Sequence, residues 1–368
     1  MIALRQKGIL YFTSHYPGIG GGETYLFDLA KAFRSEFRIY FIEGGGNDEL
    51  ANLIAELGYP LERLDYSLFS AKKAALQLGE VCRKWDVDLV HFNNRRDAVL
   101  AYYLGDLRKV MTIHTCFFAK ALGVQGNLRS AIMLMILRVT RGSIQRYITV
   151  TQYNASHLAR FLGLPGGRVQ AIYAGCTVPG HDDAQPMAER KLICSVARLD
   201  RSKGLEFLIG ALSLLFDLPW ECKIIGDGPD RSRLESLARR HLPQNRIHFE
   251  GTVPRDRVFA MIERSRMVVL PSLYDAFPYC LVEAMALGIP IITTRILGLP
   301  ELIPGGNNGI LVNPRDVKGL AEAIRELLMD NNLAANMGRE GRRLAETQFS
   351  LSRMTEQTRN VYKDLLAT

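Results

Sequence analysis

Two carboxylates, Asp275 and Glu283, bracket the middle of SLYDAFPYCLVEAMALGIPIITT, Ser272 to Thr294, and the residues between them read as the start of a helix. MVVLPS just before it reads as a strand and LYDAF as a turn. Pro278 suits the first helical position, where its missing N–H is not needed. The amides of Tyr279, Cys280 and Leu281 are then unpaired first-turn donors, a site for a phosphate. Glu283 lies too far along the helix to cap its start, and a carboxylate there can accept two hydroxyls of a ribose. Asp275 precedes the turn, where an aspartate either caps the helix or faces a ligand.

Three other stretches carry residues of the same chemistry. In ARLDRSKG, Ala197 to Gly204, Arg198 offers a planar fork and Lys203 a mobile point charge, the pair suited to a diphosphate. PGIGGGETYLFDLAKAF, Pro17 to Phe33, sets Gly18, Gly20, Gly21 and Gly22 ahead of a helix whose apolar positions include Tyr25, Leu26, Leu29 and Phe33. Such a turn lets backbone approach a ligand and offers helix-start amides to an anion. The dinucleotide fingerprint GxGxxG fails there, because its sixth position from Gly18 is Glu23, and GxxxxGK followed by Ser or Thr occurs nowhere. A standard nicotinamide enzyme and a P-loop nucleotidase are thereby disfavoured. His114 closes the strand-like MTIH and is a candidate to meet the reacting group. The turns IGDGP and EGTVP, with Gly228 and Val253, put glycine at strand ends, as close approach to a planar base requires.

The elements that must hold these residues alternate in type. GILYFTS, FRIYFIE, DLVHFNN, KVMTIHT and RYITVTQ read as strands in the first half, with helical patterns between most of them. After VQAIYAG comes CTVPGHDDAQPMAER, polar and turn-rich, which reads as a linker. The series restarts with KLICSVARL, ECKIIGDGP, RIHFEGTV, MVVLPS and GILVNP, with helices from about Gly204, Asp230 and Pro254. The alternation predicts an α/β fold of two doubly wound parallel-sheet domains, with ligands beyond the carboxyl ends of the strands in a cleft between them. The expected boundaries are 1–173, a linker over 174–190, a second domain over 191–349, and a terminal helix over 350–368 that completes the first. A length of 368 residues suits two domains at roughly 150 residues each.

Composition narrows the class further. Apolar residues are 48% and charged residues 23%, which is globular rather than disordered. The six cysteines are scattered singly, with neither a CxxC pair nor a metal-ligand spacing, so a reducing compartment is expected, without disulfides or zinc. The start, with Arg5 and Lys7 running into GILYFTS, shows no secretory pattern, and the longest apolar run, AIMLMIL, falls far short of the ~20 residues that span a bilayer. The expected location is cytoplasmic. The net charge of +8 suits anionic small molecules, an acidic membrane surface or nucleic acid, without choosing among them.

Taken together, the Gly-rich loop with Glu23, RLDRSKG, IGDGP, EGTV and PSLYDAFPYCLVEAMALGIPIITT resemble the retaining, nucleotide-sugar-dependent glycosyltransferases of the GT-B fold, group 1 or family 4. The likeness covers essentially the whole chain, and the last segment matches the family's E-x7-E element in spacing. The resemblance implies that Arg198 and Lys203 bind the diphosphate and stabilise the leaving nucleotide. It implies that Glu283 holds the ribose, that Asp275 contacts donor-sugar hydroxyls, and that His114 meets the sugar near the reacting carbon. The amides of Phe277, Cys280 and Leu281 would touch sugar or phosphate, and Gly21 and Gly22 would approach phosphate or acceptor. Gly228 and Val253 fall in the turns expected against the base. The donor implied is a UDP-sugar, with no metal or other cofactor and no nucleic-acid partner. Two positions depart from the family: Asp275 replaces the usual Glu, and Ala174-Gly175 stands where Asn-Gly is frequent near the crossover.

For the acceptor, a glycan or lipid-linked molecule is expected. NLRSAIMLMILRVTRGSIQR, Asn127 to Arg146, combines an apolar run with Arg129, Arg138, Arg141 and Arg146. It reads either as a core helix with a basic outer face or as a surface helix resting on anionic lipid. Two rival functions fit the same architecture: a nucleotide-sugar epimerase, and a catalytically silent carbohydrate-binding protein, for which Asp275 is the best support.

Overall fold

The computed structural model describes residues 5–13, 20–67, 69–114, 128–177 and 187–367, with the backbone alone over 128–131. The chain divides into two compact units, one of Met1–Tyr173 with Met354–Thr368 and one of Ala174–Arg353. Each is a parallel sheet dressed with helices.

In the first unit the strands are β1 (Gly8–Thr13), β2 (Arg38–Glu43), β3 (Leu61–Arg63), β4 (Leu89–Phe92), β5 (Arg108–Ile113), β6 (Arg146–Thr149) and β7 (Val169–Ala171), in the order β3-β2-β1-β4-β5-β6-β7. β1 pairs with β2 and β4 and is buried along its whole length, which is why GILYFT is a nearly continuous apolar run. The edge strand β3, LER, lacks that signature and was not expected from the sequence. The stretch from Asn127 to Arg146 is not one helix: a helix spans Leu128–Val139, a 3-10 turn spans Thr140–Ser143, and Arg146 opens β6. Asn127 and the side chain of Arg129 lie outside the described residues.

The terminal helix Leu351–Ala367 supplies buried Val361, Tyr362 and Leu365. Tyr362 sits against Phe33, with ring centroids 5.5 Å apart, and hydrogen-bonds His91 Nδ1 at 2.5 Å, while Arg359 reaches Glu36 at 2.7 Å. These partners all belong to the first unit.

The second unit holds β8 (Leu192–Val196), β9 (Glu221–Ile225), β10 (Ile247–Gly251), β11 (Met267–Leu270), β12 (Ile291–Thr294) and β13 (Gly309–Val312), in the order β10-β9-β8-β11-β12-β13. Helices follow at Leu205–Leu212, Arg231–His241, Arg255–Glu263 and Tyr279–Ala286, one residue beyond Gly204, Asp230, Pro254 and Pro278. The core packs Leu205, Leu208, Ile209 and Leu212 with Ile193, Ile224 and Val269 of the strands. In both sheets the strand order reverses beside the first strand, between β1 and β4 and between β8 and β11. A doubly wound sheet binds ligands at the carboxyl ends flanking such a reversal. The five described cysteines are buried, and no described helix is long and apolar enough to cross a membrane.

Candidate functional site

Two loops leave the carboxyl ends of β8 and β11, the strands that flank the reversal in the second unit. The first carries ARLDRSKG and the second LYDAF, and backbone hydrogen bonds join them: the Ser202 carbonyl accepts from the amides of Leu273 at 2.7 Å and Tyr274 at 3.1 Å. Asp200 caps the intervening 3-10 turn Arg201–Lys203 through the Ser202 amide at 2.8 Å. Gly204 ends that turn in the left-handed region at φ +63°, and a Cβ there would lie 2.2 Å from the Pro271 carbonyl oxygen. Only glycine fits that turn against its neighbour.

This junction brings Lys203 Nζ to 2.5 Å from Asp275 Oδ2. Asp275 also accepts from the Ala276 amide at 3.0 Å and from Ser272 Oγ at 3.4 Å. The aspartate therefore binds Lys203 and its own turn, and the helix Tyr279–Ala286 has no side-chain cap. Burial alone would depress the Lys203 pKa, but the charge and hydrogen bond of Asp275 outweigh it and hold the amine above its ordinary value. Lys203 keeps its positive charge while only about a fifth of its side chain remains exposed.

Within the helix Tyr279–Ala286 that follows, Glu283 is buried, and burial raises its carboxyl pKa against the opposing charge and hydrogen bond of Arg255, whose Nη2 lies 2.8 Å from Oε1. Arg255, half-exposed at the first position of its helix, also stands over the Phe259 ring at 5.5 Å. Sequence reasoning missed Arg255. The available signal was a guanidinium directly after EGTVP, one of the turns already suspected of lining the site. Cys280 joins the cluster: burial pushes its thiol pKa up, the nearby Glu283 and Asp275 add to that, and Lys203 opposes it.

Two expectations are corrected here, at Pro278 and Leu281, and Gly228 has a packing role besides. Pro278 occupies the cap position with extended backbone, φ −74° and ψ 120°, so the helix begins at Tyr279. The Leu281 amide is not unpaired, since it donates to the Pro278 carbonyl at 3.2 Å; the first turn tightens around the proline. Gly228 is required by the protein itself: a Cβ would meet Leu199 backbone at 2.4 Å, because the IGDGP turn packs against Ala197–Leu199. The Leu199 amide bonds the Asp227 carbonyl at 2.9 Å, and the Asp230 amide bonds the Leu199 carbonyl at the same distance.

The other candidates are distributed. Phe277 is buried with its ring 5.7 Å from Phe349, and Val253 is half-buried between β10 and the Arg255 helix. The Arg198 side chain is more than half exposed, with Nε 4.0 Å from Asp200.

The first unit holds a second cluster at the carboxyl ends of β1, β4 and β5. Gly21 and Gly22 form the first turn of the helix Gly21–Phe33, and the Glu23 carboxylate accepts from the Gly20 amide at 3.0 Å, the carboxylate half of a capping box whose N-cap glycine has no side chain to return the bond. Residues 17–19, Gly18 among them, lie outside the described residues. Asn93, another residue sequence reasoning missed, donates from Nδ2 to the Gly22 carbonyl at 2.9 Å, and its Oδ1 lies 2.8 Å from His114 Nε2. The Gly22 carbonyl can only accept, which assigns the Asn93 amide and makes His114 Nε2 the donor, leaving Nδ1 as the acceptor. Burial lowers the His114 pKa to about 4, and the ring packs edge-on against Tyr25 at 5.0 Å. A Cβ at Gly22 would lie 3.6 Å from the His114 ring, so that helix start touches the histidine.

Two Rossmann-like parallel-sheet units, one with a partly buried lysine, two carboxylates and a helix start beyond the carboxyl ends of the strands at its sheet reversal, define the class as a doubly wound α/β protein. Comparison with known proteins makes that class specific. The family model of glycosyl transferases group 1 matches residues 181–344, and that of glycosyltransferase family 4 matches residues 19–178. An uncharacterised glycosyltransferase of Methanocaldococcus jannaschii is 31% identical over 97% of this chain and 98% of its own. N-acetyl-alpha-D-glucosaminyl L-malate synthase of Bacillus anthracis is 24% identical over 95% of this chain and 96% of its own. Among solved structures, Anabaena Alr3699/HepE in complex with UDP and glucose superposes with a TM-score of 0.81 at 18% identity, over 97% of this chain and 100% of that one. The chain belongs to the group 1 glycosyltransferases and has the GT-B type of fold.

Proposed function

We propose that the protein transfers a sugar from a UDP-sugar to a glycan or lipid-linked acceptor in cell-surface polysaccharide or glycolipid synthesis, with retention at the anomeric carbon. The observation that carries this reading is the Lys203–Asp275 pair at the reversal of the second sheet, with Asp275 on the loop that leads into the helix bearing buried Glu283. Lys203 supplies positive charge to the diphosphate, with Arg198 as its more exposed partner. Glu283, with Arg255 holding one oxygen, accepts the ribose hydroxyls, and Asp275 accepts from the donor sugar. The Cys280 amide lies in the helix start that faces the phosphates, and Phe277, Val253 and Gly228 shape the wall around the nucleotide. Neutral His114 is held by Asn93 to meet the donor sugar, beside Gly21 and Gly22.

The chemistry follows from these charges. The bond between the anomeric carbon and the diphosphate breaks with its electrons going to phosphate. The sugar develops oxocarbenium character, and fixed positive charge on the leaving group lowers that barrier without reorganisation. The acceptor hydroxyl enters on the same face, and its proton passes to the leaving phosphate oxygen. The UDP carried by the Anabaena relative supports the choice of nucleotide.

The test is Lys203→Ala, which should lower turnover at least ~100-fold, the scale for removing one preorganised electrostatic group. Circular dichroism should show an unchanged fold. Full activity in that variant would refute the role given to Lys203.

A further inference from the structure

Ala98 to Thr177 carries nine Lys and Arg against a single acid, Asp106, a net of +8 that equals the charge of the whole chain. The remainder is therefore balanced, and in the first unit Arg5, Lys7, Arg38, Arg63 and Lys84 meet carboxylates. Among the described residues from Ala98 to Thr177, no Lys or Arg has a carboxylate within ion-pair distance. Arg138 and Arg141 turn to backbone carbonyls instead, of Phe161 at 3.1 Å and of Arg138 at 2.8 Å.

The same stretch exposes apolar side chains in a row. The helix Leu128–Val139 buries Leu137 and packs Leu134 on the core, while Ile132, Met135 and Val139 stand 40%, 69% and 68% exposed. Their spacing of three and four residues places them along one helical face. The short helix Ala98–Tyr103 packs beside this segment and exposes Tyr102 at 52% and Tyr103 at 45%. A contiguous apolar face needs a covering partner, and tyrosine, apolar in body and polar at its tip, suits the boundary between water and acyl chains.

We infer that this face of the first unit, Ile132, Met135 and Val139 with Tyr102, Tyr103 and the adjoining arginines Arg138 and Arg141, which have no carboxylate partner, docks on an anionic lipid bilayer. Concentrated positive charge draws the unit to acidic headgroups, and the apolar row enters the headgroup boundary. A second copy of this chain fits less well, because the charge that surrounds the row would be set against itself. This inference goes beyond the proposed transfer reaction and does not depend on it.

The full chain is to be sedimented with vesicles of phosphatidylcholine alone and of phosphatidylcholine mixed with phosphatidylglycerol, at physiological and at high salt. Binding is expected to the mixed vesicles only, and to weaken as salt rises. Ile132→Ser/Met135→Ser/Val139→Ser should weaken it at least about ten-fold. Arg138→Gln/Arg141→Gln should weaken it while narrowing the preference for acidic lipid. Equal sedimentation with both vesicle types, no sedimentation, or a triple-serine variant that binds like wild type would overturn the inference. So would a wild-type dimer in analytical ultracentrifugation that the triple-serine variant abolishes, which would assign the face to a second copy.

Discussion

At the residue scale, Lys203 and Asp275 partner each other, so a bound diphosphate must share the lysine with the aspartate. The geometry separates their roles. Asp275→Asn removes the charge but keeps the size, leaving Lys203 freer for phosphate. UDP alone should bind as tightly as to wild type or several-fold tighter by calorimetry, while transfer from a UDP-sugar falls. Weaker UDP binding would mean that Asp275 acts by positioning Lys203 rather than by meeting the sugar. Lys203, Asp275 and Glu283 were legible from residue type and position at strand and helix ends. Arg255 and Asn93 were not, because each acts through a partner 28 and 21 residues away, and no local periodicity encodes such a pairing. The competing use of Asp275 as a helix cap was reasonable from its place ahead of a turn, and the nearer, stronger attraction of an ammonium group decided the matter.

At the element scale, the site depends on two loops locked together at the ends of β8 and β11. Ser202 accepts two amides of the second loop, and Gly204 lets the first turn back against Pro271. Gly204→Ala meets both a left-handed backbone and a collision, and should cost about 1–3 kcal/mol of stability, read from urea denaturation. A variant as stable as wild type would show that the turn can move away from Pro271. The buried strands could be read from apolar runs because a parallel sheet covered on both faces leaves little room for polar residues. β3 escaped for the opposite reason: a three-residue edge strand, LER, faces water and looks like loop. The stretch Leu128 to Arg146 shows a similar limit. Its apolar and basic residues fit one long helix, yet the chain turns through Thr140–Ser143 to place Arg146 in β6, and pairing with β5 overrides local propensity.

At the scale of the whole molecule, the alternation of strands and helices made the fold class legible, since two parallel sheets are the natural burial for that pattern. The concentration of charge was also present in the sequence, but its meaning needed the structure, which alone shows that the apolar row points outward and that the nearby arginines lack carboxylates. What the residues do together is best tested by following nucleotide release. With a panel of UDP-sugars and glycan or lipid-linked acceptors, the protein should release UDP only when an acceptor is present, in amounts equal to the glycosylated product. UDP released equally without acceptor, or a donor sugar isomerised with no UDP released, would contradict transfer as the function of the site.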